Sequence, residues 1–239
     1  MRRLLIYISF TVSIFTYGQE FLHTDGQQIV NEKNENIILR GLGLGGWMVQ
    51  EGYMLQTGNF AGPQHVIKQK ISDLIGDENT TAFYDTYKAN GITKRDIDSL
   101  AAWGFNSVRL PMHYNLYTPA IEEEINGKIT WLKEGFTMTD KLLEWCAENK
   151  MYLILDLHAT PGGQGKDANI SDYDSTKPSL WESEANQKKM IALWRKLANR
   201  YKDNKWIGGY DIINEPNWNF TGTNKNGCDE TSNIPLRKL

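Results

Sequence analysis

One carboxylate in this 239-residue chain stands where catalytic acids are commonly found. Glu215 lies between Asn214 and Pro216, at the end of the strand-like residues 206–214. Parallel α/β folds place their active sites at the carboxyl ends of strands, so the Asn–Glu pair is a candidate for acid–base chemistry. Alone, the motif could equally be a turn that ends a strand and leaves the carboxylate in water.

Two further polar side chains in strand-like segments favour the chemical interpretation. Arg109 lies inside the apolar segment 106–111, and His158 ends the apolar segment 151–158. A guanidinium in an apolar strand must find an acceptor that offsets its burial. Asp156 could be a structural partner for Arg109, or Arg109 could hold a catalytic carboxylate ionised, and the two roles can coexist.

Glycosidic bond hydrolysis is the chemistry that these residue types suit best. It needs one carboxylic acid to protonate the leaving oxygen and a second carboxylate as nucleophile or base. Glu215 is the candidate acid, with a pKa expected to be raised by desolvation against aromatic sugar subsites. Asn214 could hydrogen-bond the sugar 2-hydroxyl. Eight Trp and eleven Tyr would allow sugar stacking, although packing accounts for most of them.

Other chemistries find less support in the sequence. The four histidines show no spacing typical of metal ligands: His23, His65, His113 and His158. No Gly-x-Ser-x-Gly elbow of an α/β-hydrolase is present. Residues 41–46 match Gly-x-Gly-x-x-Gly, but neither a helix nor an acid about 20 positions on follows as a dinucleotide site requires. We therefore expect no metal and no cofactor.

The segments that carry these residues alternate between strands and helices. Strands are predicted over 106–111, 151–158 and 206–214, and helices over 94–103, 135–149 and 182–201. The strands are continuous apolar runs, as in a parallel sheet covered by helices. With a strand ending near Gly41, this predicts an α/β fold with about four βα units. A complete (β/α)8 TIM barrel of this spacing would need roughly 350–400 residues, so the N-terminal half of a barrel is expected.

The N-terminal residues predict export and a small hairpin. Arg2 and Arg3 precede a short apolar run, which is typical of a secretory signal peptide over residues 1–18. The run is too short for an integral membrane span. We therefore expect a secreted protein with a catalytic domain over residues 19–239. Within it, residues 22–30 and 37–40 are predicted to form a hairpin around the polar turn 31–36.

Charge and cysteine content narrow the possible partners. The net charge of −3 gives no basic surface for nucleic acid or an anionic membrane. Cys146 lies on an apolar helical face, where a buried free thiol is expected, and Cys228 lies in a loop-like segment. We expect a monomer whose partner is a glycan substrate.

The motifs together resemble glycoside hydrolase family 5, the cellulase-type retaining (β/α)8 hydrolases. The resemblance rests on residues 39–41, 107–111, 155–158 and 213–216, in the family's order and at similar spacing. Segments 43–51 and 156–164 look most like the exo-β-1,3-glucanase and β-glucosidase-like branch.

The resemblance implies a role for each candidate residue. Glu215 would be the general acid/base, Asn214 the 2-hydroxyl ligand, and Arg109 the residue that orients the catalytic carboxylates. His158 would line the −1 subsite. Three further residues would contact substrate: Glu51, Trp47 and His113.

The family's nucleophile, a glutamate on the seventh strand, has no counterpart here, because Glu182 and Glu230 lack a strand-end setting. The 239-residue chain alone is therefore expected to be inactive. The complete enzyme would hydrolyse β-glucans. Two alternatives stay open at this point: a carbohydrate-binding protein without catalysis, and a hydrolase of another β-glycan such as mannan.

Overall fold

The computed structural model describes residues 21–218, which form a parallel sheet flanked by helices and preceded by a small hairpin. The strands are β1 (His23–Asp25), β2 (Gln28–Val30), β3 (Gly41–Gly43), β4 (Ser107–His113), β5 (Tyr152–Ala159) and β6 (Ile207–Asp211). The helices are α1 (Gln64–Ile75), α2 (Asp77–Gly91), α3 (Lys94–Ala102), α4 (Glu134–Glu148), α5 (Ala168–Ser171) and α6 (Glu184–Tyr201).

The sheet confirms the predicted parallel arrangement. Its strand order is β3-β4-β5-β6, and every neighbouring pair is parallel. The apolar runs of β4 and β5 are buried on both faces, with Val108, Leu110, Leu153 and Leu155 fully excluded from solvent. Parallel sheets covered by helices require such strands, because neither face meets water. All four strand ends therefore point to one edge of the sheet.

The three helices predicted from periodicity are present with small shifts at their ends. α3 begins after Thr93, whose backbone N–H donates to the Asp96 carboxylate at 2.8 Å in a capping box. Gly104 follows α3 with φ +88°, a conformation that glycine adopts without strain. On the inner face of α4, Cys146 is buried as predicted, and burial raises the pKa of its thiol to about 12. Cys228 lies outside the described residues.

The N-terminal hairpin differs from the prediction. β1 pairs with β2 around Gly26, which has φ +57°, so residues 22–30 form the hairpin on their own. The predicted turn over 31–36 exists, but it closes a single bridge between Val30 and Asn36. Gly26 supplies the positive φ that a tight hairpin turn needs, and this signal outweighs the polarity of the later segment.

Two helices before α3 were not predicted from the sequence. α1 and α2 lie in the long connection between β3 and β4. α2 buries only Thr80 completely, so its sequence lacks the apolar stripe that marks a core-facing helix. It is held instead by two tyrosine hydroxyls: Tyr84 donates to the Gln50 side chain at 2.7 Å, and Tyr87 donates to the Gly46 carbonyl.

Two strand boundaries also move relative to the sequence prediction. β3 begins at Gly41 rather than ending there, and β6 ends at Asp211, before Asn214. Glu215 therefore follows a short irregular segment rather than the strand itself. Within residues 21–218 no helix combines the length and apolarity needed to cross a bilayer. The predicted signal peptide lies outside the described residues.

From the outer edge of β6 we predict that the 239-residue chain self-associates. β6 pairs only with β5 among the described strands, and Ile212 beside that edge is half exposed. Open apolar edges recruit other chains. We expect concentration-dependent oligomers in light scattering, and Ile212→Lys should reduce them severalfold, because a charge at an edge opposes pairing. Leu74→Lys, a comparable change on exposed α1, should not. Monomers at all concentrations would contradict this expectation.

Candidate active site

The carboxyl ends of β4, β5 and β6 bring the predicted polar residues together. The parallel register pairs Arg109 with Ile154 and Asp156 with Asp211. Side chains of alternate residues on neighbouring strands point to the same face. Arg109 consequently shares a face of the sheet with Asp156 and Asp211, and its long side chain reaches them although the residues lie up to 102 positions apart in sequence.

Arg109 lies at the centre of this cluster, and its guanidinium contacts three acceptor side chains. Its guanidinium donates to the Asp211 carboxylate at 2.9 and 3.2 Å and to the Asn214 side-chain oxygen at 2.9 Å. The same group lies 3.0 Å from the Asp156 carboxylate. The expected pairing with Asp156 is therefore present, and Asp211 is an additional partner. A planar guanidinium with five N–H donors suits such multiple contacts.

Asp156 is fully buried between two cationic groups. One carboxylate oxygen lies 3.0 Å from the Arg109 guanidinium and 2.7 Å from His158 Nδ1. Burial raises the pKa of this carboxyl, while the His158 hydrogen bond and the charges of His158 and Arg109 oppose the rise. Asp156 can carry a charge without solvent exposure because Arg109 and His158 both contact its carboxylate.

His158 connects this cluster to Glu51 in the segment after β3. Its Nε2 lies 3.2 Å from the Glu51 carboxylate, and its Nδ1 contacts Asp156. Burial alone would lower the pKa of His158, but hydrogen bonds to Asp156 and Glu51 raise it to about 9. An imidazolium between two carboxylates is the consistent protonation state at neutral pH.

Asn214 is buried, with its side chain held by Arg109 and its backbone held by β5. Its side-chain oxygen accepts from Arg109, and its side-chain nitrogen lies 3.3 Å from His158 Nε2. Its backbone N–H donates to the Leu157 carbonyl at 3.1 Å. The side-chain amide of Asn214 is thus positioned by the charged cluster rather than by β6 itself.

Glu215 follows Asn214 but, unlike its neighbour, it is exposed. The expected desolvation of its carboxylate is therefore absent in the described structure. The reason is its position: it follows β6, the last described strand of the sheet, so only the β5 side supplies neighbours. Its backbone has φ +41°, an uncommon conformation for a residue other than glycine.

The three predicted substrate-contact residues have different surroundings. Glu51 is buried beside His158, within the cluster. Trp47 is 6% exposed, packs in the hydrophobic core and donates its indole N–H to the Lys88 carbonyl at 2.7 Å. His113 ends β4, and its Nε2 lies 3.0 Å from the partly buried Asp172 carboxylate. The structure therefore brings Glu51 into the cluster and gives Trp47 and His113 separate packing partners.

Three residues at the site were not assigned from sequence. Asp211 pairs with Arg109, and its signal was an acid inside the apolar segment 206–214. Tyr53 is exposed beside Glu51, and the Glu51 charge raises the pKa of its phenol, with smaller contributions from burial and from Glu215. Gln164 links the strand ends through its amide. An amide gives no signal of this kind in sequence because its role depends on the fold.

The described residues contain no group of three or more histidine, cysteine or carboxylate side chains arranged to hold a metal ion. The glycine-rich segment 41–46 is followed by turns rather than by the helix that a dinucleotide site would need. The cluster is accordingly an ionic and hydrogen-bonding arrangement that presents Glu51, His158, Asn214 and Glu215 at one edge of the sheet.

The raised pKa of His158 predicts a loss of stability in alkali. The folded pKa of about 9 exceeds the ordinary value, so the stabilisation is complete below about pH 6.5 and is lost as the pH rises through 9. We expect the free energy of unfolding to fall by roughly 2–3 kcal/mol over this interval. Urea unfolding of the chain followed by circular dichroism measures it.

His65 is the matched control for this pH dependence. Its pKa is also raised, mainly by a hydrogen bond to Asp172, but its side chain is 43% exposed. His158→Gln should abolish most of the alkaline loss, whereas His65→Gln should retain most of it. An unchanged pH profile in His158→Gln would show that this imidazole is not the titrating group.

Comparisons with known proteins agree with the fold. Residues 68–233 match the family described as cellulase, glycosyl hydrolase family 5. A beta-xylosidase of Phanerodontia chrysosporium is 36% identical over 197 residues, which are 82% of this chain and 39% of that protein. A probable glucan 1,3-beta-glucosidase A of Aspergillus niger is 26% identical over 182 residues, 75% of this chain and 41% of that protein.

A solved structure shows the same fold. The rutinosidase from Aspergillus niger superimposes with a TM-score of 0.59 at 19% identity, over 77% of this chain and 50% of that one. The chain spans about two fifths of the length of the two curated relatives. Its sheet and helices correspond to part of a (β/α)8 barrel, as the sequence predicts. The chain belongs to the cellulase family of glycosyl hydrolases, family 5.

Proposed function

We propose that the protein hydrolyses O-glycosyl bonds of β-glucans by a retaining, double-displacement mechanism. The observation that carries the proposal is the placement of Asn214 and Glu215 beside the Arg109–His158 cluster at the strand ends. A rigid, charged support next to an exposed acid is what glycosidic bond cleavage requires of the protein.

Glu215 would act first as an acid and then as a base. In the first step its proton passes to the leaving glycosidic oxygen while a carboxylate nucleophile bonds the anomeric carbon. In the second step Glu215 takes a proton from water, whose oxygen displaces that carboxylate with overall retention. Asp156 and Asp211 are already paired with Arg109. We therefore propose that the nucleophile lies outside residues 21–218.

The remaining residues of the cluster suit recognition of a sugar ring. Glu51 could accept from sugar hydroxyl groups, with His158 lining the subsite behind it, and Asn214 could contact the 2-hydroxyl. Exposed Tyr53 next to Glu51 offers an aromatic face for stacking. Relatives described as a beta-xylosidase and a glucan 1,3-beta-glucosidase support a β-linked glycan as substrate. We also propose that the complete enzyme is exported through residues 1–18 and is a monomer.

Two other functions compete with this proposal. A non-catalytic carbohydrate-binding protein could use the same strand ends, and its support is the open, exposed setting of Glu215. A hydrolase of another β-glycan, such as mannan, would share the mechanism and differ only in the hydroxyl contacts. Activity and substrate profile separate these possibilities.

The acid/base role predicts a loss that depends on the leaving group. In the longest natural form of the protein that contains this chain, Glu215→Gln should lower kcat/KM on polysaccharide by about 10²–10⁴-fold. It should change kcat/KM on a dinitrophenyl glycoside far less, because that leaving group departs without a proton. Added azide should rescue Glu215→Ala and give a glycosyl azide of retained configuration, detected by NMR.

Glu184→Gln provides the control for that experiment. Glu184 is an exposed glutamate of α6 that pairs with Lys188, and its loss should leave both activities unchanged. Wild-type polysaccharide hydrolysis by Glu215→Ala would refute the acid/base assignment.

The proposed substrate predicts an order of activities. We expect laminarin and aryl β-glucosides to be hydrolysed at least about tenfold faster, in kcat/KM, than mannan, since a poorly fitting hydroxyl group costs a binding site 1–3 kcal/mol. Reducing-end release from laminarin, cellulose, xylan and mannan measures the order. Faster mannan hydrolysis would favour the second alternative, and glycan binding without turnover would favour the binding protein.

A further inference from the structure

We propose that Gln164 is a positioning residue for Glu215, acting through the backbone on either side of the acid. The proposal rests on the proposed function, because it assigns the residue that sets the orientation of the general acid. Gln164 lies in the loop after β5 and is fully buried. Its side chain hydrogen-bonds backbone groups rather than Arg109, so its action differs from that of the charged cluster.

The side chain of Gln164 joins the ends of two strands. Its amide nitrogen donates to the His158 carbonyl at 2.7 Å and to the Asn214 carbonyl at 2.8 Å. Its amide oxygen accepts from the Thr160 N–H at 3.1 Å. The Asn214 carbonyl belongs to the peptide that leads directly into Glu215. One amide therefore fixes this peptide against β5.

Two glycines turn the loop so that Gln164 points inward. Gly162 and Gly163 both have φ +78°, a conformation that glycine adopts freely. A Cβ on Gly162 would lie 2.2 Å from the Asn186 side chain, and one on Gly163 would lie 2.8 Å from Tyr173 Cα. The double glycine is therefore required both for the turn and for the close packing beneath it.

The same loop contacts the chain again after the acid. The Lys166 N–H donates to the Asn217 carbonyl at 2.8 Å, so the loop binds the backbone two residues beyond Glu215. Glu215 lies between these two restraints with φ +41° and precedes Pro216. Such a conformation persists only when the surrounding structure imposes it. Gln164 and Lys166 are the contacts that do so on the two sides.

The chemistry of the site selects glutamine. Two carbonyl acceptors and one N–H donor require an amide with two N–H groups and one oxygen. Glutamate would set a carboxylate against both carbonyls, and methionine would fill the volume without any hydrogen bond. Asparagine keeps the groups but is one methylene shorter, so it cannot span both strand ends.

Loss of this restraint should displace the acid and leave sugar binding intact. Glu51, His158 and Asn214 keep their own side-chain contacts, so KM should change little. A displaced acid protonates the leaving oxygen less well, and misplacement of about 1 Å can cost 10²-fold. The effect of Gln164 should therefore grow with the basicity of the leaving group.

The test compares Gln164→Met with Ser171→Ala in the longest natural form of the protein. Ser171 is also buried, at the end of α5, and donates to the Gly165 carbonyl at 2.7 Å, but it makes no hydrogen bond to the segment that carries Glu215. We expect Gln164→Met to lower kcat/KM about tenfold on a phenyl glucoside and less than twofold on a dinitrophenyl glucoside. Ser171→Ala should leave the ratio of the two activities unchanged.

The outcomes separate this inference from the proposed function. If Glu215→Gln shows leaving-group dependence and Gln164→Met does not, the positioning role is wrong and the acid assignment stands. An equal loss on both glucosides would mean that Gln164 serves folding only. If Glu215→Gln lacks the dependence, both proposals fail.

Gln164→Asn is the milder variant for the case in which methionine prevents folding, and it should show the same ratio to a smaller degree. Hydrogen exchange of the amides in 213–217 should be faster in either variant and unchanged in Ser171→Ala. Unchanged exchange in both Gln164 variants would also overturn the proposal.

Discussion

The structure of the site depends on burying one negative charge, the carboxylate of Asp156, at the carboxyl end of β5. An isolated charge at such a position would cost far more than folding can supply. Arg109 on one side and protonated His158 on the other compensate for it. Each cation also contacts a second carboxylate: Arg109 contacts Asp211, and His158 contacts Glu51. The result is a row of alternating charges that ties β4, β5, β6 and the segment after β3 into one unit.

This row explains why the candidate recognition residues come from distant parts of the chain. Glu51 is ordered by His158, and the Asn214 side chain is ordered by Arg109. The low dielectric of the buried interior strengthens each contact and makes each missing partner costly. Hydroxyl-binding groups can therefore be held in place without substrate, a condition for efficient catalysis.

The features that could be predicted from the sequence were those marked by apolar runs and by charges within them. The apolar runs of β4 and β5 predicted the parallel sheet, and a charged Arg109 inside one of them predicted an ionic partner, which is Asp156. Sequence reasoning missed α1 and α2 because each buries only one residue, Ile67 or Thr80, and so lacks an apolar stripe. It also missed Gln164, since an amide joins two strand ends only after tertiary folding. The expectation that Glu215 is desolvated failed for a similar reason, because burial depends on elements packed beyond β6.

Two sets of contacts support the Asn214–Glu215 pair, and they act on different parts of it. This division has a physical consequence for Glu215. The ionic row holds the Asn214 side chain, whereas Gln164 and Lys166 hold the backbone around Glu215. A general acid must exchange its proton during each catalytic cycle, so its carboxyl cannot be locked in an ion pair without a large shift of its pKa. Restraint through backbone carbonyls avoids that conflict. It orients the Cα–Cβ bond of Glu215 and leaves the carboxyl group exposed to solvent, which is how an exposed acid can still be a positioned one.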